Sequence, residues 1–582
     1  MRRGGRFLGT HTPLGNRRGS PGSFFSSLGF VLLLAGAPGG CSAPRRASDG
    51  RSEGGAGLRA QARARLDAGD ASGALELLER CASIGPEDGE TSFLLGLATE
   101  AAAGETPRAA LLYGDAVAHF ERAGRLRPGD PLPRLGLARV ALREGDFERA
   151  AEEAGKAEEL ADGPDRRYEA ARLRASALGG SLRSGREGTG SSDDSSAARV
   201  AVEAARALLS LDPQREEGYL LLAEIESTLG REDRERAVLL EGARAIPGAI
   251  SLHARAVEAH ATTEARAALL AFYESLGSER PQDPVVAWFL GRSAESTGDS
   301  ARGENRFEEA DRLYAKAAEA YGKSASLRAD FRETAAERSW WTVVSRGWCA
   351  YGLGRLREAA ERFAEAIARA PDLRGTRDAF GRTAKDGVDF AALALMEAGD
   401  LETGEALLAR ASASAPTELD WWTNLGYYRW ELGQRRQADG RRRDAAETFE
   451  AALASYERAR EIAPDDPSAL NDCVLILYYH LKREDERVER YLRHAIESGE
   501  RLLQDAGLDE KRRRLWDEGT GNAYQNLGVL LYEKKHDLAA ARRCLETSLQ
   551  HYPHSRAQAR RYLARIDREQ GLVSPAASGP SR

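Results

Sequence analysis

357-REAAERFAEAIARAPD-372 is the stretch that decides the fold. A small residue, Ala359, is followed after four by Phe363, after three more by Ala366, and after five more by Pro371. Offsets of four and three put these side chains on one stripe of a helix. The small residues let a second helix approach closely, and the large one fills the groove between helices. Proline cannot continue the helix and marks its end.

The same spacing recurs along the chain. It reads Ala452, Tyr456, Ala459, Pro464 in 451-AALASYERAREIAPDD-466, and Ala116, Phe120, Ala123, Pro128 in 115-DAVAHFERAGRLRPGD-130. A further copy is Ala74, Leu78, Cys81, Pro86. A partner helix precedes each. In 421-WWTNLGYYRWELG-433 it carries Trp422, Leu425 and Gly426, and near residue 524 it carries Tyr524, Leu527 and Gly528, with Ala540 and Cys544 following at the second helix's spacing.

Together these positions resemble the tetratricopeptide repeat (TPR), a helix–turn–helix unit of about 34 residues. The resemblance implies an all-α fold, a right-handed solenoid of antiparallel helix pairs closed by a C-terminal capping helix. The inner small site of the second helix falls near 74, 116, 150, 201, 235, 269, 317, 359, 404, 452, 488 and 540. That gives about 10–12 repeats over roughly residues 58–555. The boundaries expected are 58–178 for N-terminal repeats, 179–197 for a Gly/Ser-rich disordered insertion, 198–555 for C-terminal repeats, 556–570 for the capping helix and 571–582 for a disordered tail. The segment 434–446 reads as a lengthening of two helices.

Composition agrees with helix. In 582 residues, 42% are hydrophobic, 7% aromatic and 30% charged, and runs of β-branched residues are nearly absent. Net charge is -7, and residues 1–40 hold five arginines and no acid, so the remainder carries -12. An acidic body lacks the electrostatic footprint of a nucleic-acid binder. Basic runs such as 511-KRRRL-515 have acids close by and read as solvated helix faces.

Residues 24-FFSSLGFVLLLAGA-37 form an apolar run that is short for a membrane span and suits the core of a signal peptide. Arg17 and Arg18 precede it; Gly39, Gly40 and Cys41 end it. This resembles a bacterial lipoprotein signal, although Pro38 stands where an aliphatic residue is usual. The resemblance implies a signal peptide over 1–40, lipidation at Cys41, a tether over 41–57, and an exported protein of the cell envelope, periplasmic or surface-exposed. An ordinary cleaved signal and an uncleaved anchor are the alternatives.

No phosphate-binding loop or HExxH motif occurs, and the nine histidines are scattered. Cys81 and Cys544 hold repeat packing positions. The expectation is a chain with no catalytic residue, no metal and no cofactor.

In the family resembled, the first helix of each pair lines the concave face. The lining residues lie six and three before the small site and one and four after it. Around Gly347 the stripe reads Trp341, Val344, Trp348 and Tyr351. Around Ala392 it reads Asp386, Asp389, Leu393 and Met396. Around Gly426 it reads Asp420, Thr423, Tyr427 and Trp430. Trp422 holds the signature packing place. The basic clamp by which some members hold acidic peptide tails has no counterpart here.

The partner-binding candidates are therefore Trp341, Trp348, Tyr351, Asp386, Asp389, Asp420, Tyr427 and Trp430, facing a basic or apolar protein segment. The expected role is a protein–protein interaction scaffold of the envelope. The alternatives are packing of the aromatics between helices, and a carbohydrate- or polymer-binding groove with Trp341, Trp348 and Trp430 as a stacking platform.

Overall fold

The structure, a computed structural model, describes residues 54–84, 86–104, 108–188, 196–551 and 556–571. The expected signal peptide, Cys41, most of the tether and the tail from 572 lie outside them. Among the described residues there are 25 α-helices and no strand. They form twelve helix pairs and a final helix, Ala557–Glu569, so the architecture is an all-α solenoid of stacked pairs. All twelve small sites named from the sequence fall in the second helix of a pair. The chain divides into two compact units at Ser293/Ala294, within helix Pro284–Gly303.

In the N-terminal unit, Phe120 shows why the repeat works. Its ring is fully buried, and a Cβ added to Gly96 or Gly136 would meet it at 2.5 and 2.6 Å. The large residue of one second helix thus wedges against glycines of two successive first helices, and any side chain at either place would expel it. Helices stop just short of the repeat prolines, at Ile84 and Leu126. The next helices start on Asp-Pro or Asp-Gly: Asp130 accepts from Leu132 N–H at 3.0 Å with Pro131 in the first turn.

The expected Gly/Ser insertion is corrected in its first half. Helix Pro164–Gly188 runs through residues 179–188. Gly179 and Gly180 are packing positions, where a Cβ would lie 3.1 Å from Ile225 and 2.3 Å from Phe147. Glycines that read as a linker are there because neighbouring helices come close. Residues 189–195 lie outside the described set.

In the C-terminal unit Phe363 repeats the Phe120 arrangement against Gly347 and Gly387, at 2.7 and 2.3 Å from an added Cβ. The segment 434–446 does lengthen two helices, Leu419–Ala438 and Arg442–Ile462. The last repeat is one residue out of the expected register. Ala541 and Leu545 are the buried positions, while Ala540 and Cys544 are only half-buried. The first helix of that pair ends in a π-helical turn, Leu531–Lys535, followed by His536 with φ +55°. The wider turn shifts everything after it. The helix Pro467–Val474 likewise continues into a π-helix, Leu475–Leu481, ending at Lys482 with φ +53°. Ala559 and Ile566 of the final helix are fully buried, and its remaining surface is polar, as an end cap requires.

Candidate functional site

The predicted stripe lies wholly in the C-terminal unit, on helices Arg332–Gly352, Ala384–Ala398 and Leu419–Ala438. The structure divides its residues into three groups.

Trp348 belongs to the core, which corrects its place in an accessible patch. It is 2% exposed, with its ring edge-on to Phe363 at 5.2 Å and close to Tyr351 and Phe390 at 5.9 Å each. The guanidinium of Arg382 lies over it at 4.5 Å. Tyr351 is half-buried beside it. A platform of three flat, exposed indoles is therefore excluded. Trp341 is half-buried and stands edge-on to Trp340 at 4.7 Å.

The second group is polar. Asp386 belongs to the capping box of its own helix: Thr383 Oγ accepts from Asp386 N–H at 2.9 Å, and the Asp386 carboxylate accepts from Thr383 N–H at 3.0 Å. Asp389 accepts from the indole N–H of Trp421 at 2.9 Å and lies 3.4 Å from Lys385 Nζ. Lys385 also reaches Glu418 at 3.4 Å and Asp420 at 3.7 Å. Arg374 pairs with Glu418 at 2.7 Å. Burial drives the Asp389 carboxyl up to about 6, against the opposing pull of Lys385 and Trp421. Burial pulls Lys385 down, but the carboxylates of Asp389, Asp420 and Glu418 outweigh it and hold the amine above its ordinary value. For Glu418, burial raises and Arg374 with Lys385 lowers, and the cations win. Four carboxylates, counting Asp386, thus face two cations, so the stripe keeps an acidic excess that is smaller than its own residues suggest.

Tyr427 and Trp430 make the third group. Both are half-buried, with ring centroids 5.4 Å apart. The Tyr427 hydroxyl donates to Glu431 at 2.9 Å, and the Trp430 indole N–H donates to His480 Nε2 at 2.8 Å. Burial pushes His480 below the ordinary histidine value, which keeps the accepting nitrogen unprotonated.

The packing tryptophan is Trp421, fully buried, and not Trp422, which is half-buried and donates to Pro416 O at 3.0 Å. Adjacent tryptophans differ by 100° around a helix, so a one-residue slip exchanges core and surface.

Lys385, Arg374, Glu418 and Arg382 were not among the expected site residues. The signal for Arg374 and Arg382 was the connection 370–383, fourteen residues long, between helices Leu356–Arg369 and Ala384–Ala398. The corresponding connections at 415–418 and 463–466 are four residues each. A recess of about 450 Å³ is lined by Arg493, Glu500, Tyr524 and Cys544 among others. Its Tyr524 hydroxyl already donates to Glu500. Among the described residues no group of three or more His, Cys, Asp or Glu is placed to hold a metal, and no helix is long and apolar enough to cross a membrane.

No protein-family model matches the sequence, and no curated protein does. Solved structures similar to the chain include yeast Tom70, at 16% identity over 82% of this chain and 97% of that one, with a TM-score of 0.24. A tetratricopeptide repeat protein of Parabacteroides merdae is 15% identical over 50% of this chain and 99% of its own, with a TM-score of 0.29. A thermophilic TPR protein of Thermus thermophilus is 19% identical over 35% of this chain and 98% of its own, with a TM-score of 0.24. The helix-pair fold rests on the packing described above.

Proposed function

We propose that the chain is a non-catalytic scaffold that holds protein segments against its first-helix stripe. The single observation behind this is that stripe itself: half-buried Trp341, Tyr351, Tyr427 and Trp430 alternate with an acidic excess at Asp386, Asp389 and Asp420. Partly exposed aromatics beside charge are what interface anchors look like, because they bring large area at little entropic cost. The acidic excess favours a basic or partly apolar segment. We further propose export to the bacterial cell envelope with Cys41 as the lipid attachment point, on the strength of the apolar run and the small residues before that cysteine.

A photocrosslinking side chain tests the first part. Placed at Tyr427 in cells, it should capture a discrete partner band. Placed at Arg443, whose side chain is 91% exposed on a second helix, it should not. Equal capture at both positions would overturn the stripe as the binding face. Metabolic labelling with a fatty-acid analogue tests the second part: label should appear on the wild type and vanish in Cys41→Ser.

A further inference from the structure

The long connection 370–383 folds back as an ordered strap. A 3₁₀ turn, Pro371–Leu373, opens it, and Arg374 ties it to Glu418. At its far end Asp378 organises a tight turn. Its backbone N–H donates to Arg382 O at 2.8 Å, and its carboxylate accepts from the N–H groups of Phe380 and Arg382 at 2.9 and 2.8 Å. Gly381, at φ +74°, makes the reversal possible. The same carboxylate takes the buried Arg302 guanidinium at 2.8 Å, and Phe380 lies under that guanidinium at 4.3 Å. The strap is therefore fixed at both ends, and between them it delivers Arg382 onto Trp348.

Trp348 is one wall of a three-sided arrangement. Its ring, Tyr351 and Phe390 have centroids 5.9, 5.9 and 6.2 Å apart, with interplanar angles of 80°, 65° and 66°. The three rings pack edge to face, and the Arg382 guanidinium lies over the Trp348 ring, the cation–π arrangement that a face of this kind accepts. The Trp348 indole N–H is buried and has no hydrogen-bond acceptor among the described residues. A donor left so is costly, and an arriving backbone carbonyl would satisfy it.

We infer that the Trp348 face now covered by Arg382, flanked by Tyr351 and Phe390, is a binding site for an arginine or lysine side chain of a partner protein, and that Arg382 of the strap is its intramolecular stand-in. This rests on the scaffold reading and names the chemistry of its ligand. Arg382 is itself exposed, so its contact with Trp348 is weak beside that of a fully desolvated cation. It leaves by rotating its own side chain, while the Arg302–Asp378 anchor keeps the strap in place. The acidic excess at Asp386, Asp389 and Asp420 on the neighbouring helices draws a basic segment to the same face.

The test uses the full-length protein and a fluorescein-labelled hexa-arginine peptide, read by anisotropy. Arg382→Ala should tighten peptide binding by about two- to fivefold, the ratio expected when an exposed self-contact of this type is removed. Adding Tyr351→Ala should abolish the gain. Arg443→Ala removes the same charge from a distant exposed helix and should leave binding at the wild-type level. The inference falls if Arg382→Ala binds like wild type, if Arg443→Ala gains equally, or if the gain survives loss of Tyr351. Acrylamide quenching of tryptophan fluorescence gives a ligand-free check, since Arg382→Ala should increase it and Arg382→Lys should not. The Tyr427 crosslink is an independent measurement, so the scaffold reading can stand when this one fails.

Discussion

Arg302 and Asp378 form an ion pair at 2.8 Å with both side chains only 6% exposed, although 76 residues separate them in sequence. Each charge has given up water and depends on the other. Asp378→Ala leaves the guanidinium uncompensated and should cost about 3–5 kcal/mol. Replacing both, Arg302→Met with Asp378→Asn, whose side-chain oxygen still accepts from the Phe380 and Arg382 N–H groups, should restore part of that loss. The midpoint of urea unfolding reports both effects, and a double variant no more stable than Asp378→Ala would contradict the account.

Gly387 and Gly322 are both helical glycines, yet alanine should act on them in opposite directions. At Gly322 nothing lies within 4 Å of an added Cβ, so Gly322→Ala should stabilise by up to about 1 kcal/mol through helix propensity. At Gly387 the added carbon would lie 2.3 Å from the buried Phe363 ring. Gly387→Ala should destabilise by about 1–3 kcal/mol, overpacking outweighing propensity. Thermal unfolding of the two variants decides it, and a shift of the same sign in both would refute the wedge as the reason for glycine.

Asp389 titrates at about 6 in the fold against an ordinary 3.8. Folding therefore takes up a proton between those values. The contribution is fully present below about pH 4 and is lost as pH rises through about 6. Asp389→Asn keeps an acceptor for Trp421 and removes the titration. Its stability relative to wild type should grow by about 1–3 kcal/mol between pH 4 and pH 7. Glu418 slopes the other way, and subtracting the wild-type curve removes it. A difference that stays flat with pH would show that Asp389 is not held protonated by burial.

Lys482 and His536 take the left-handed backbone at the ends of the two π-helical turns, where other repeats use Gly145, Gly354 and Gly399. A β-carbon is disfavoured there. Lys482→Gly and His536→Gly should each stabilise by about 1 kcal/mol, measured as a rise in the unfolding midpoint.

The sequence alone determined the repeat. Small-large-small spacing at offsets of four and three, closed by proline, is a property of a single helix. Such patterns are local, and all twelve second helices lie where the pattern put them. Register was less legible wherever something non-local changed it. The π-helical turn at Leu531–Lys535 moved burial from Ala540 to Ala541, and the choice between Trp421 and Trp422 turned on which indole could reach Asp389 across helices. Glycine at 179 and 180 has one spelling for a linker and for a close helix approach; only Ile225 and Phe147 distinguish them. Tertiary structure alone decided the character of the candidate site. It buried Trp348 under Arg382, brought Lys385 and Arg374 into the acidic stripe, and joined Arg302 to Asp378. Except for Lys385, these contacts are made by the connection 370–383, which has no repeat periodicity, so its path is set by which charges and rings can be paired once the helices have stacked.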